Sequence, residues 1–213
     1  MFIKTPRSDK GLRYLLILSF LVCQGAFAQV QTPRYLSMTP LSNAYYEYLP
    51  QGYSTSGSQK YPLMIFVHGS GETGDGSPAQ ISRVLRNGPP KLIDQGIFPN
   101  SFTVKGQTFR FIVLSPQFTI WPDDINIDDI INYAIKNYNV HTSRIYLTGL
   151  SMGGGVVWQY AGADINYGRR VAAIVPIARA SWPAYFRCEH FAAANRAVLS
   201  TPKRCDPTVP SFL

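Results

Sequence analysis

Gly149-Leu150-Ser151-Met152-Gly153 follows the apolar run Arg144-Ile145-Tyr146-Leu147-Thr148 and precedes a stretch of small residues, so a glycine-bracketed serine stands where a strand gives way to a helix. So tight a junction forces its central residue into a strained backbone conformation, and a side chain two positions to either side would strike the neighbouring strand and helix. The serine is thereby exposed at a helix N-terminus, where amide groups and the positive end of the helix dipole face any negative charge that develops. Ser151 is the candidate nucleophile, and the backbone N–H of Met152 a candidate oxyanion donor.

Such a junction needs a strand covered on both faces, and the rest of the chain supplies several. An aromatic-rich strand is expected at 44–49, then unbroken apolar runs at 62–67, 110–114, 144–148 and 171–175, with another short strand at 197–200. Unbroken runs of strand length suit a parallel sheet with helices above and below. Helices are expected at 123–138, where an amphipathic pattern opens on acidic residues, and at 153–162. Strands alternating with helices give an α/β class, mostly parallel. There is no internal repeat, low-complexity tract or interdomain linker, and a chain of 213 residues fits one domain with a sizeable core.

The first 28 residues stand apart. Lys4, Arg7, Lys10 and Arg13 precede an apolar run at 14–22, and Ala26-Phe27-Ala28 has the small-x-small form of a cleavage site, so the expected mature chain begins at Gln29 and is secreted or periplasmic. The run is too short, and its polar sequel too abrupt, for a stable membrane span. Val22 ahead of Cys23 argues against lipid attachment. The leader holds four basic residues against Asp9, so its removal lowers the formal charge from +8 to +5. The remaining basic residues are scattered apart from Arg169-Arg170 and Lys203-Arg204, and no basic stripe interleaves with aromatics, which disfavours nucleic acid as a partner. Cys188 and Cys205 either pair or stay as thiols, because spacing alone does not bring their Cα atoms within bonding range. No close cluster of His, Asp and Glu has metal-ligand spacing, and no cofactor is implied; Asp123-Asp124 and Asp128-Asp129 read as first-turn charges and a solvated helix face.

His68-Gly69-Ser70-Gly71-Glu72 ends the apolar run at 62–67, where a second oxyanion donor is needed, and nominates the Ser70 N–H. Gln117, Trp121 and Trp182 follow strand ends on the same side and are candidates to line a substrate cleft, the tryptophans with faces suited to a sugar or phenolic group.

Three segments together carry a resemblance: Pro62 to Glu72, Ser115-Pro116-Gln117, and Arg144 to Gly155. They resemble secreted α/β-hydrolase esterases of the carboxylesterase/phospholipase, dienelactone hydrolase and polyhydroxybutyrate depolymerase-like kind, from about Tyr45 to Pro210. The resemblance implies a serine hydrolase that cleaves carboxylic esters through an acyl-enzyme, on a small-molecule or polymeric substrate that is carbohydrate-linked, lipid-like or a polyester. Asp206-Pro207-Thr208-Val209-Pro210 is similar to the segment that carries the acid of the triad in that family, so Asp206 would orient the catalytic imidazole. The family often has His-Gly shortly before that acid, where this chain has Pro202-Lys203.

The family's order is Ser, Asp, His, with the histidine beyond a further strand, whereas Asp206 is followed by seven residues. The expectation is therefore of an α/β-hydrolase domain at 29–213 that is C-terminally incomplete, its last strand and helix absent along with the histidine. His68 is expected to order its own turn, His141 to lie at the opposite end of the sheet, and His190 to cap or face solvent. A base role for His190 would need the order Ser, His, Asp. Without a base the serine is a weak nucleophile. The competing expectation is a catalytically silent exported binding protein on a degenerate hydrolase scaffold. A bare sheet edge in either case exposes backbone and apolar surface.

Overall fold

Alternation along the apolar runs sets the layers. A computed structural model describes residues 30–178, 180 and 185–199. Among the described residues, nine strands and five α-helices follow one another: β1 (Gln31–Arg34), β2 (Ala44–Tyr48), β3 (Tyr61–Val67), α1 (Gly88–Asp94), β4 (Phe102–Val104), β5 (Gln107–Phe109), β6 (Ile112–Gln117), α2 (Asp124–Asn137), β7 (Val140–Leu150), α3 (Met152–Ala163), α4 (Ile165–Arg170), β8 (Ala173–Ile177), α5 (Tyr185–Ala194) and β9 (Ala197–Val198). Seven form one sheet in the order β1-β2-β6-β3-β7-β8-β9, and β4 with β5 make a separate hairpin. From β6 to β9 every neighbouring pair is parallel, while β1 and β2 are antiparallel additions.

Leu63, Ile65 and Val67 of β3, with Ile112 and Leu114 of β6 and Ile145 and Leu147 of β7, point to one face and meet Ile127, Ile130 and Ile131 of α2 and Met152, Val156 and Tyr160 of α3. The intervening residues point the other way, where Tyr48 and Val113 pack on Ile93 of α1 and on Phe98. Burial on both faces is why these strands read as continuous apolar runs. Gly88 is required at the mouth of α1: its φ is +64°, and a Cβ there would stand 2.4 Å from the Phe66 ring.

Several elements depart from their sequence-based bounds. β6 extends to Gln117 because Ala44 of β2 pairs with Gln117, while pairing with β3 stops at Leu114. Pro116 thus lies beyond the parallel ladder, where its missing N–H costs nothing. β7 begins at Val140 rather than at 144. Tyr61 pairs with Val140 and Leu63 with Ile145, so the polar residues 141–144 bulge out of the ladder. Asp128 is also not the solvated charge expected of it. It accepts from the Tyr160 hydroxyl (2.8 Å) and pairs with the Arg170 guanidinium, tying α2 to α3 and α4.

Candidate active site

The strand–helix junction takes the form its glycines demand. Ser151 has φ +55° and ψ −113°, the conformation of the first central residue of a type II′ turn, which favours glycine. A Cβ on Gly149 would lie 2.4 Å from the Gly153 carbonyl carbon, and one on Gly153 only 1.9 Å from the Val67 carbonyl oxygen. The bracketing glycines therefore exist so that β7, α3 and the end of β3 can touch. Further bonds hold the serine's own backbone: its N–H donates to Ile177 O (2.9 Å), and its carbonyl accepts from Gly155 and Ala180 (3.0 and 3.1 Å). Met152 opens α3, so its N–H has no partner within the helix.

The loop after β3 comes to the same place. A Cβ on Gly69 would sit 3.7 Å from Ser151 Cβ, 3.5 Å from Leu150 O and 3.0 Å from Glu72 Oε2. Ser70 opens a short 3-10 turn, Ser70–Glu72, immediately after it. The residues nominated as nucleophile and oxyanion donors thus come from two segments that abut at Gly69.

Side chains distant in sequence fix this loop. His68 is fully buried; its Nε2 accepts from the Phe118 N–H (2.9 Å), so the ring proton is on Nδ1, which donates to Gly69 O (2.7 Å). Burial is the main influence on the ring and holds its pKa below the ordinary value, against smaller opposing effects of the Gly69 carbonyl and Glu72. A neutral imidazole with both nitrogens committed to backbone orders the turn and has no capacity left to act as a base. Glu72, itself buried, accepts from Asn87 Nδ2 (2.8 Å), while Arg83 and Arg86 donate to the carbonyls of Thr73 (2.8 Å) and Gly71 (3.2 Å).

Gln117, nominated for a cleft wall, is buried beneath the loop. Its Nε2 donates to Glu72 O (3.0 Å) and Gln80 O (2.8 Å), and its Oε1 accepts from the Gly76 N–H (3.0 Å). With no surface left for a ligand, it acts as the loop's support. The roles of Gln117 and Arg83 escape a sequence reading because the backbone groups they hold lie 10 to 45 residues away. The single available signal is a glutamine closing an otherwise apolar strand. Trp121 stands at the site end of β6, 42% exposed, with its indole N–H donating to Gln159 Oε1 of α3 (3.1 Å).

The remaining histidines are far from Ser151. His190 Nδ1 lies 3.1 Å from both Gly162 O and Ala163 O, at the C-terminal end of α3, whereas Ser151 caps its N-terminus. Twelve helical residues separate those ends by about 18 Å. His141, hydrogen-bonded to Ser143 (3.0 Å), stands at the start of β7 and Ser151 just beyond its end. None of the three histidines in the sequence therefore serves Ser151. Trp182, Asp206, Cys205 and the 1–28 leader lie outside the described residues; Cys188 is exposed on α5. Among the described residues no three His, Cys, Asp or Glu side chains gather as metal ligands would, and no helix is long and apolar enough to cross a membrane.

No protein-family model matches the chain, and no curated protein sequence does. Solved structures are similar to it. A thermostable esterase aligns with 86% of this chain at 22% identity and a TM-score of 0.55, over 48% of its own length. A feruloyl esterase module from Clostridium thermocellum, complexed with sinapinate, aligns with 80% of this chain at 18% identity and a TM-score of 0.53, over 65% of its length. Thermogutta terrifontis esterase 2, phosphoramylated by tabun, aligns with 84% of this chain at 13% identity and a TM-score of 0.54, over 74% of its length. The chain thus spans about half to three quarters of these proteins. The likeness establishes the α/β-hydrolase fold, a mostly parallel central sheet flanked by helices.

Proposed function

We propose that the chain carries the nucleophile-bearing core of a serine hydrolase that cleaves carboxylic esters through an acyl-enzyme. One observation supports this above the others: Ser151 is held in a strained backbone conformation at the β7–α3 elbow, beside a separately braced loop at Gly69. Strain of that kind costs on the order of 1–3 kcal/mol and persists where the surroundings enforce it for a purpose.

In this reading Ser151 Oγ attacks the ester carbonyl carbon and gives its proton to a base. The tetrahedral oxyanion rests against the N–H groups of Met152 and Ser70. The alcohol leaves with a proton, and water then attacks the acyl-serine to release the acid and restore the hydroxyl. Asp206 is the proposed carboxylate behind an imidazole that none of the chain's three histidines supplies. Oxyanion donors and binding alone leave a residual acceleration of about 10³–10⁴ over water. The partly exposed Trp121 face suits an acyl or sugar ring, so we favour a carbohydrate-linked ester over lipid-like and polyester substrates. The leader further supports export, with Gln29 as the mature N-terminus, which N-terminal sequencing of the secreted protein checks.

The deciding experiment is hydrolysis of a short-chain p-nitrophenyl ester. Slow release by the purified chain, accelerated by added imidazole and reduced to background in Ser151→Ala, is the expected result. Equal rates for the two proteins, with and without imidazole, overturn the proposal.

A further inference from the structure

A hollow lies along the β1 edge of the sheet, whereas Ser151 follows β7, the fifth strand from that edge. It encloses about 530 Å³ between β1, β2, the C-terminal half of α2 and the loop at 50–57. That volume falls within the ~300–1,000 Å³ of sites that enclose small-molecule ligands.

Its floor is a closed hydrogen-bond network. Arg34 Nε donates to Glu47 Oε1 (3.0 Å), the Tyr138 hydroxyl donates to Glu47 Oε2 (2.5 Å), and the Tyr45 hydroxyl lies 2.8 Å from that of Tyr138 and 3.0 Å from that of Tyr133. Burial, followed by the hydrogen bond to Glu47, raises the Tyr138 phenol far above its ordinary pKa, so the phenol stays neutral. One guanidinium offsets one buried carboxylate, and the floor has no net charge. Tyr35, which is 55% exposed, also lines the hollow, as does half-buried Tyr53, whose ring packs on Tyr61 (5.3 Å) and whose hydroxyl accepts from the Asn139 N–H (3.1 Å). Arg34 Nη1, the Tyr35 and Thr55 hydroxyls and Asn137 Oδ1 make no hydrogen bond among the described residues, which leaves donors and acceptors free on residues that line the hollow.

These features sort the possible ligands. A cation finds both Glu47 oxygens occupied, and an anion finds Arg34 already paired. An acyl chain or apolar peptide would strip water from an ion pair and several hydroxyls without replacing their hydrogen bonds. A neutral polyhydroxylated ring loses nothing comparable: its faces lie on tyrosine rings, and its hydroxyls both donate and accept. We infer that this groove binds a short neutral oligosaccharide, stacked on Tyr35 and Tyr53 and hydrogen-bonded to Arg34, Thr55 and Asn137. Standing apart from Ser151, it would hold a glycan while leaving the serine free. The inference does not depend on the hydrolase reading.

Calorimetric titration of the chain with cellohexaose, xylohexaose and mannohexaose tests it. At least one is expected to bind. Tyr35→Ala, at an exposed position, is expected to weaken that binding about fivefold, the scale of a lost ring contact, with the melting temperature unchanged. Asn137→Ala should weaken it as well, and Ser151→Ala should leave the affinity as it was. Failure of all three sugars to bind, binding indifferent to both groove substitutions, or binding lost in Ser151→Ala overturns the inference. None of these outcomes bears on ester hydrolysis, so the two proposals fail separately.

Discussion

At the scale of single residues, the backbone of Ser151 carries a cost that substitution can expose. Glycine is at ease at φ +55° and alanine is not, so Ser151→Gly should be more stable than Ser151→Ala by about 1 kcal/mol, both lacking the proposed nucleophile. Chemical denaturation of the two variants measures the difference. Gly153→Ala should do far more damage: its methyl would fall 1.9 Å from Val67 O, backbone against backbone, and a loss of about 3 kcal/mol or more is expected, at the top of what overpacking costs. His68 gives a pH signature. Its folded pKa lies below the unfolded value of about 6.5, so as pH falls through 6.5 the unfolded chain takes up a proton before the folded one. The neutral ring's stabilisation is thus complete above pH 6.5 and declines below it, down to the lowered folded value. Melting temperatures from pH 7.5 to 5 should fall more steeply for the natural chain than for His68→Asn, which lacks that proton linkage. The serine and its glycines were legible in the sequence because their spacing is itself the geometric requirement. Gln117 supports the loop and lines no cleft, because three distant carbonyl and amide groups, and nothing nearby, decide where its amide goes.

Among elements, α2 announced itself and α1 did not, for one physical reason. In α2 the buried Ile127, Ile130, Ile131 and Ala134 recur at helical spacing, and Asp123 caps the first turn by accepting from the Asn126 N–H (2.9 Å) while Asn126 Oδ1 accepts from Asp123 N–H (3.1 Å). Asp123→Ala should cost about 1 kcal/mol, seen as a fall of about 2–4 °C in melting temperature without loss of the proposed ester hydrolysis. α1 begins Gly88-Pro89-Pro90 and buries only Pro90 and Ile93, too few apolar positions to set a period. The β4–β5 hairpin is three residues a side with mostly exposed positions, so its alternation is equally faint. α5 lay hidden because its buried residues, Phe191 and Ala194, crowd its last turn.

For the whole molecule, the parallel sheet was readable as a class, but its order was not, since nothing local says that β6 inserts between β2 and β3. Among the described residues the sheet is also unevenly covered. On β8, Ile174 and Pro176 are buried while Ala173, Val175 and Ile177 of the opposite face are only half-buried, and β9 pairs over just two residues beside exposed Val198 and Leu199. A short apolar edge of that kind invites another chain. Sedimentation should show apparent mass rising with protein concentration, and Val198→Lys should suppress the rise. The close approach of Gly153 to Val67 O has a consequence in time. Because that contact joins residues 86 positions apart, the elbow can close only after β3 has docked on β7, and such long-range parallel pairing is slow. Until then Ser151 is an ordinary hydroxyl. With imidazole supplied as the base of the proposed hydrolase, the moment at which a refolding chain first reacts with a serine-directed phosphonate should therefore coincide with completion of its core, making Ser151 a clock for folding.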